Sequence, residues 1–520
     1  MIDRLAGRLL MLQGDRSTCA PRGRRLGAIC LLVIASVQHS ESAVSQHLRI
    51  ENVTVVSPDS AREIESATVT IHDGRIQSIS TMAHAAPVSG PTAAQTLDGT
   101  NLYLTPGLID SHVHLGGIPG MTDEQEKAHP DIARAARDQF PRSYLYSGFT
   151  TLIDLISTPE EMARWKSHDP TPDTYFCGGA MLMDGYPSNY LPKESRYTAM
   201  PYMLLETRIS GSPLPPGLRA SEHTPQAVVT HMKTDGAICV KTFFERGFGG
   251  VRNLPVPQAD TIRALVQAAH AAGLPVLMHA NSLEAQQFAL NTGVDIIAHG
   301  LWNTDEKTRP GELTALEKSV LDRVIAAHVG WQPTLQVLYG LRNLFDNATL
   351  ADPMLTRVLP PSLIDWYRTP EGGWFRDSIV AGSPELAAPT VAANMLLDPI
   401  NRAAAATGYL TQHHARLLFG TDTPSSPTYA NPPGLNAWME MRHLADAGVT
   451  PEQIFQAATL SNARALRLDR QIGTVQVGKR ANLLLVRADP RKTIQAYQEI
   501  AKVILGGRVL DPSMLAPNRP

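Results

Sequence analysis

Cysteine is scarce in this chain, with four residues in 520, at Cys19, Cys30, Cys177 and Cys239. So thin a supply excludes a scaffold stapled by closely spaced disulfides. Cys177 and Cys239 lie in the apolar runs TYFCGGA and AICVK and read as two buried free thiols. An excess of positive charge is also missing. Lys and Arg number 46 against 49 Asp and Glu, a formal charge of −3, which argues against a nucleic-acid partner. Long hydrophobic runs are absent as well. The most apolar stretch, LGAICLLVIASV at Leu26–Val37, falls short of the roughly 20 residues a spanning helix needs. No stable membrane span is therefore expected.

What is present is a globular composition, 43% hydrophobic and 18% charged, long enough for a large barrel with a companion domain. At the start, Arg16, Arg22, Arg24 and Arg25 precede the short apolar run, and Ser40, Ser42 and Ala43 follow it. A charged region, a short apolar region and a small-residue exit make a secretory signal. Residues 1–42 are read as that signal, and the protein as exported, periplasmic or secreted.

Residues 47–98 alternate like short strands, with Asp73-Gly74 as a hairpin turn. Strand patterns return at Ile472–Val477, Ala481–Arg487 and Ala501–Val509. Segments 43–104 and 471–520 are therefore expected to build one small β-sandwich from both ends of the chain. Between them, residues 105–470 alternate apolar runs with helical patterns, as βαβ units do. Eight candidate strands, Tyr103–Ile109, Thr150–Leu155, Tyr175–Leu182, Ala237–Phe243, Pro275–Met278, Asp295–Ala298, Val329–Pro333 and Arg416–Phe419, predict a (β/α)8 TIM-type barrel. Two long connections, Met183–Thr224 and Thr334–Ala415, should overhang its C-terminal face. Trp366, Tyr367, Trp374 and Phe375 in the second are candidates for an aromatic substrate surface.

The residues that carry chemistry fall at strand ends. His112 and His114 close the run LTPGLIDSHVH; two residues apart on a strand, they share a face. A bare pair of this kind is as often a hydrogen-bonded core feature as half a metal site. The decision comes from the other strand ends. Lys241 closes AICVK, His279 closes PVLMH, His299 closes DIIAH and Asp422 closes LLFGTD.

With these motifs and the closing pattern AATLSNARALRL…IGTVQVGKRANLLLV…GGRVL, the chain resembles the amidohydrolase superfamily, and within it the imidazolonepropionase-like and prolidase-like secreted members. The resemblance spans about residues 47–510. It implies a metal-dependent hydrolase cleaving an amide, peptide or related acyl bond. His112, His114 and Asp422 would hold one divalent ion, His279 and His299 a second, and Lys241 would bridge them as a carbamate. Zinc is the first candidate metal. A metal-bridging hydroxide would attack, with Asp422 as proton shuttle. Arg246, Asn281 and Trp302 are candidate substrate contacts.

The substrate implied is a small molecule or short peptide, and a homo-oligomer is compatible with the sequence. A mononuclear deaminase-type amidohydrolase is the alternative; many such members carry glutamate where this chain has Ser282. A catalytically inactive binding scaffold is the other, and it should have lost ligands that are all filled here.

Export is directly checkable. Mature protein recovered from cells should begin near Ala43, and N-terminal sequencing that returns Met1 or Met11 from active protein contradicts the assignment.

Overall fold

A computed structural model describes residues 47–81, 95–193, 196–199, 201–206, 214, 216–248, 251–305, 309, 311–425 and 427–517. The expected signal at 1–42, with Cys19 and Cys30, lies outside them. Among the described residues no helix is long and apolar enough to cross a membrane.

The first sheet joins both ends of the chain. Its N-terminal strands are β1 (His47–Val55), β2 (Ile64–His72), β3 (Arg75–Thr81), β4 (Gln95–Asp98) and β5 (Tyr103–Pro106). Alternate residues of β1 (Leu48, Ile50, Val53, Val55) are buried against Val69, Ile71, Leu483, Leu485 and Ile504. Asp73 and Gly74 turn the β2–β3 hairpin with φ of 46° and 74°, the doubly left-handed turn this dipeptide favours.

The second, parallel sheet comprises β6 (Leu108–Val113), β7 (Phe149–Asp154), β8 (Asp173–Ala180), β9 (Cys239–Phe243), β10 (Val276–His279), β11 (Ile296–Ala298) and β12 (Gly330–Gln332), paired strictly in sequence order. The chain then returns to the first sheet through β13 (Leu483–Val486), β14 (Ile500–Leu505) and β15 (Arg508–Leu510). That sheet runs β15-β14-β13-β5-β1-β2-β3, with β4 also on β1. The two ends therefore meet in one eight-stranded, mostly antiparallel sheet, whose distant strands share one apolar cluster.

The expected first barrel strand is split between the sheets. Tyr103–Pro106 pairs with β1 and β13, and the barrel strand begins at Leu108. The switch falls at Gly107, where an added Cβ would lie 2.1 Å from Thr150 Oγ1. A side chain there would push the strands apart.

The seven-stranded sheet is curled, as in a TIM-like barrel. Ile109, Ile153, Cys177, Cys239, Leu277 and Ile296, from β6 to β11, share one apolar cluster with Leu418. Their sequence neighbours, such as Leu108, Leu152, Phe176, Val240, Val276, Ile297 and Phe419, belong to the cluster shared with the helices. The expected free thiols are instead joined: Cys177 and Cys239 are register partners on β8 and β9, with Cα atoms 4.4 Å apart, and form a disulfide. Neither apolar run showed that the two would stand opposite each other.

Arg416–Phe419 does not form a continuous strand. Its segment bridges both edges of the curled sheet, at Trp331–Leu417 and Val113–Thr423. Trp331 N donates to Arg416 O (2.9 Å), Ser111 N to Phe419 O (3.2 Å) and Asp422 N to His112 O (2.6 Å). Ladder geometry is lost where Asp422 takes a left-handed backbone, φ 58°.

The second long connection is folded helix, including Leu335–Asn343, Pro361–Tyr367, Trp374–Gly382 and Leu397–Gln412. Trp366, Tyr367 and Phe375 are buried in the main core, so packing takes the place of the aromatic surface expected of them. Tyr367 donates its hydroxyl to Pro119 O, and Trp374 Nε1 donates to Gly120 O at 2.8 Å. These bonds brace the loop that leaves β6.

One amide holds the seam between β6 and the 416–423 segment. Asn462, in the turn of helix after the π-helical Ala457–Ser461, donates from Nδ2 to Ile109 O (2.8 Å) and Phe419 O (2.7 Å). Its Oδ1 accepts from Phe419 N (3.1 Å) and from Ser111 Oγ (3.1 Å). Asn462→Ala would remove the amide's bonds to Ile109 O, Phe419 N and Phe419 O, the last of which keeps Ser111, and should lower unfolding free energy by roughly 2–4 kcal/mol. Urea denaturation checks this, and a loss below about 1 kcal/mol, the scale of an ordinary surface change, would show that the seam is held by other contacts.

Candidate metal centre

The end of β6 supplies His112 and His114. Register against β7 shifts between Asp110 and Val113, so the strand's alternation is reset just before the two histidines. Asp110, fully buried, accepts from His112 N (3.2 Å), Thr421 N (3.1 Å) and Thr421 Oγ1 (2.7 Å). That one carboxyl ties the histidine strand to the segment carrying Asp422. Burial pushes its pKa up to about 7, against those hydrogen bonds. Gly420 is required for the approach: a Cβ there would sit 2.7 Å from His112 Cβ.

Asp422 Oδ1 lies 3.1 Å from His112 Nε2 and 2.9 Å from His114 Nε2. One donor atom from each of the three residues falls within a span of 4.8 Å. Burial opposes charge on Asp422, yet the imidazoles of His112, His114 and His299 hold its carboxyl well below the usual range. Burial, with Lys241 nearby, takes His112 down to about 3, so its ring is neutral. Its Nδ1 is buried without a partner.

Lys241 is 1% exposed, with Nζ 3.4 Å from His112 Nε2. Burial lowers its pKa to about 7, while Asp422 works the other way. His299 stands beside both halves of the cluster, its ring 5.1 Å from His112 and 4.4 Å from His279. Strand alternation would send His299 outward with Ile297; its left-handed backbone, φ 80°, allows the inward turn. Thr334, also left-handed at φ 47°, places Oγ1 3.0 Å from His299 Nδ1. His299, Thr334 and Asp422 thus hold a backbone conformation that side chains rarely adopt, and such outliers cluster at functional sites.

All six strand-end residues are therefore brought into one neighbourhood. Imidazoles, an ionised carboxylate and a buried amine are a donor set suited to divalent cations. The orphaned His112 Nδ1 and the crowding of ring nitrogens on one carboxylate fit that purpose better than they fit a closed hydrogen-bond network.

Of the other candidates, Asn281 and Trp302 lie against the histidines and Arg246 does not. Asn281 is buried with Nδ2 3.3 Å from His279 Nε2. Trp302 is buried, its ring 4.9 Å from His299 and its Nε1 without a partner. Arg246 is half exposed and makes two hydrogen bonds, 2.9 and 2.7 Å, to Glu284. Ser282, where deaminases carry glutamate, caps the helix Leu283–Thr292 by accepting from Ala285 N at 3.2 Å. Sequence reasoning missed Asp110, Thr334, Glu245 and Tyr186; the last lays its ring 4.8 Å from that of His279. For Thr334 and Glu245 a signal existed, since each lies just beyond the end of a parallel strand, where polar residues serve the site.

A curled parallel sheet with this cluster at its strand ends defines a barrel hydrolase. The amidohydrolase family matches residues 103–320 and 392–510, and the chain belongs to it, a family acting on carbon–nitrogen bonds. No curated protein matches the sequence. Among solved structures, molinate hydrolase aligns with a TM-score of 0.62 at 17% identity, over 92% of this chain and 98% of its own. Phenylurea hydrolase B aligns at 0.60 and 19%, over 91% and 99%. A Xaa-Pro dipeptidase with bound methionine aligns at 0.58 and 18%, over 90% and 100%. At these identities the likeness is one of fold.

The Arg246–Glu284 pair makes a checkable statement. Exposed pairs contribute at most about 1 kcal/mol, so Arg246→Met should cost no more than that. It should also leave KM for carboxylate-bearing substrates nearly unchanged. A KM raised about tenfold, equivalent to 1.4 kcal/mol of binding, would show that Arg246 leaves Glu284 to hold substrate.

Proposed function

We propose that this chain is a binuclear metal-dependent hydrolase opening an amide, peptide or related acyl bond of a small molecule or short peptide. The observation that carries the reading is the convergence of His112, His114 and Asp422 within 4.8 Å, with Lys241 Nζ 3.4 Å from His112 and the His299 ring alongside. His112, His114 and Asp422 would hold one ion, and His279 and His299 the second. Lys241 would lie between them: its neutral amine would add to the carbon of CO2 and release one proton, leaving a carbamate whose single negative charge is shared by two oxygens. A buried ammonium beside two cations would be a poor neighbour, and a carbamate removes that conflict. Divalent ions, when bound, supply Lewis acidity toward the acyl oxygen and make water a stronger acid.

The protein's own part is proton handling and positioning. Asp422, kept ionised, takes the proton that the attacking water loses and hands it to the departing nitrogen. Asn281 and Trp302 line the same mouth. The hydrogen bonds of the 416–423 segment to β6 and β12 support a closed (β/α)8 barrel around the site. The Cys177–Cys239 disulfide supports an oxidising compartment, in keeping with export. Zinc fits the imidazole and carboxylate donors.

The test is reconstitution. Protein stripped of metal should be inactive against a panel of dipeptides, N-acyl amino acids and aryl amides, and zinc should restore turnover of at least one member. Asp422→Asn should cut kcat by ~10²–10⁴-fold, as loss of a general base does. Lys241→Ala should lose one of the two bound ions. Full turnover in the stripped protein, or Lys241→Ala with two ions and normal rates, would contradict the reading.

A further inference from the structure

Glu245 is buried just past the end of β9, four residues beyond Lys241. Its Oε2 lies 3.1 Å from His279 Nε2, and its Oε1 accepts from Gly247 N at 2.9 Å. The backbone beneath is fixed as well, since Phe244 N donates to His279 O at 3.0 Å. The Tyr186 ring, 4.8 Å from His279, covers the same imidazole. A carboxylate taken this far from water is expensive unless it is paired. Among the described residues its side-chain partner is the imidazole of His279, which can donate from only one ring nitrogen when neutral.

We infer that Glu245 is a positioning residue: it holds the proton of His279 on Nε2 and so presents the Nδ1 lone pair to a divalent cation. Thr334 Oγ1 is the comparable neighbour of His299, 3.0 Å from its Nδ1, which also lies 3.8 Å from Asp422 Oδ2. A ligating histidine whose second nitrogen donates to a carboxylate is both oriented and made more basic. The inference rests on the two-ion reading above and assigns it one further residue.

The test titrates stripped wild-type, Glu245→Gln and Glu245→Ala protein with zinc against a chromophoric chelator, alongside thermal melting of the metal-free forms. Glu245→Ala should weaken the second equivalent by ~10–100-fold while the first stays within about twofold. Glu245→Gln, whose amide oxygen still accepts, should fall between them; it also carries the test if the alanine variant folds poorly. Two equivalents bound by both variants with wild-type affinity would overturn this assignment alone, even if melting drops. Wild-type protein that takes up only one equivalent would overturn the two-ion reading, and this inference with it.

Discussion

Everything at the centre depends on holding β6 beside the segment that carries Asp422. His112 and Asp422 are more than three hundred residues apart in the chain, yet their side-chain atoms must stay within 3.1 Å. Ladder hydrogen bonds alone do not achieve this, because the segment breaks strand geometry at Gly420–Asp422. Asn462 closes the seam from below with its amide, and Asp110 closes it from within through Thr421 and the His112 backbone. Gln332 Nε2 adds a third tie, donating to Ser111 Oγ at 2.7 Å. Most of these bonds run to backbone groups, so the active edge is rigid before anything binds.

Rigidity there allows unfavourable conformations elsewhere. Left-handed His299, Thr334 and Asp422 each cost on the order of 1 kcal/mol or more, and the surrounding core offsets it. Burial keeps His112 neutral and brings Lys241 near the point of losing its proton, while the neighbouring histidines, against burial, keep Asp422 ionised. Such a site is organised to receive positive charge without rearranging. Organisation in advance is where most of the catalytic benefit of an electrostatic site arises.

The sequence made the donor residues legible because each terminates an apolar run, and strand ends of a parallel barrel point one way. The Asp73-Gly74 hairpin was legible because few dipeptides accept two positive φ values. Contacts between distant segments were hidden. Cys177 and Cys239 read as separate thiols because register across β8 and β9 is a property of the pairing. Composition could not decide whether Trp366, Tyr367 and Phe375 form an aromatic substrate surface or pack into the core, because it cannot distinguish an overhanging loop from buried helices. Tyr103–Pro106 looked like barrel because its apolar run continues across Gly107 without pause. Asp110 and Asn462, short polar residues inside strand and helix patterns, give no sign of the seam they hold.

The central proposal is a two-ion centre built by His112, His114, Lys241, His279, His299 and Asp422. Anomalous diffraction from crystals grown with zinc, collected on both sides of its absorption edge, measures this most directly. Two anomalous peaks are predicted, one against His112, His114 and Asp422 and the other against His279 and His299, with branched density extending from Lys241 Nζ between them. A single peak, or peaks away from these side chains with Lys241 ending in a bare amine, would contradict it.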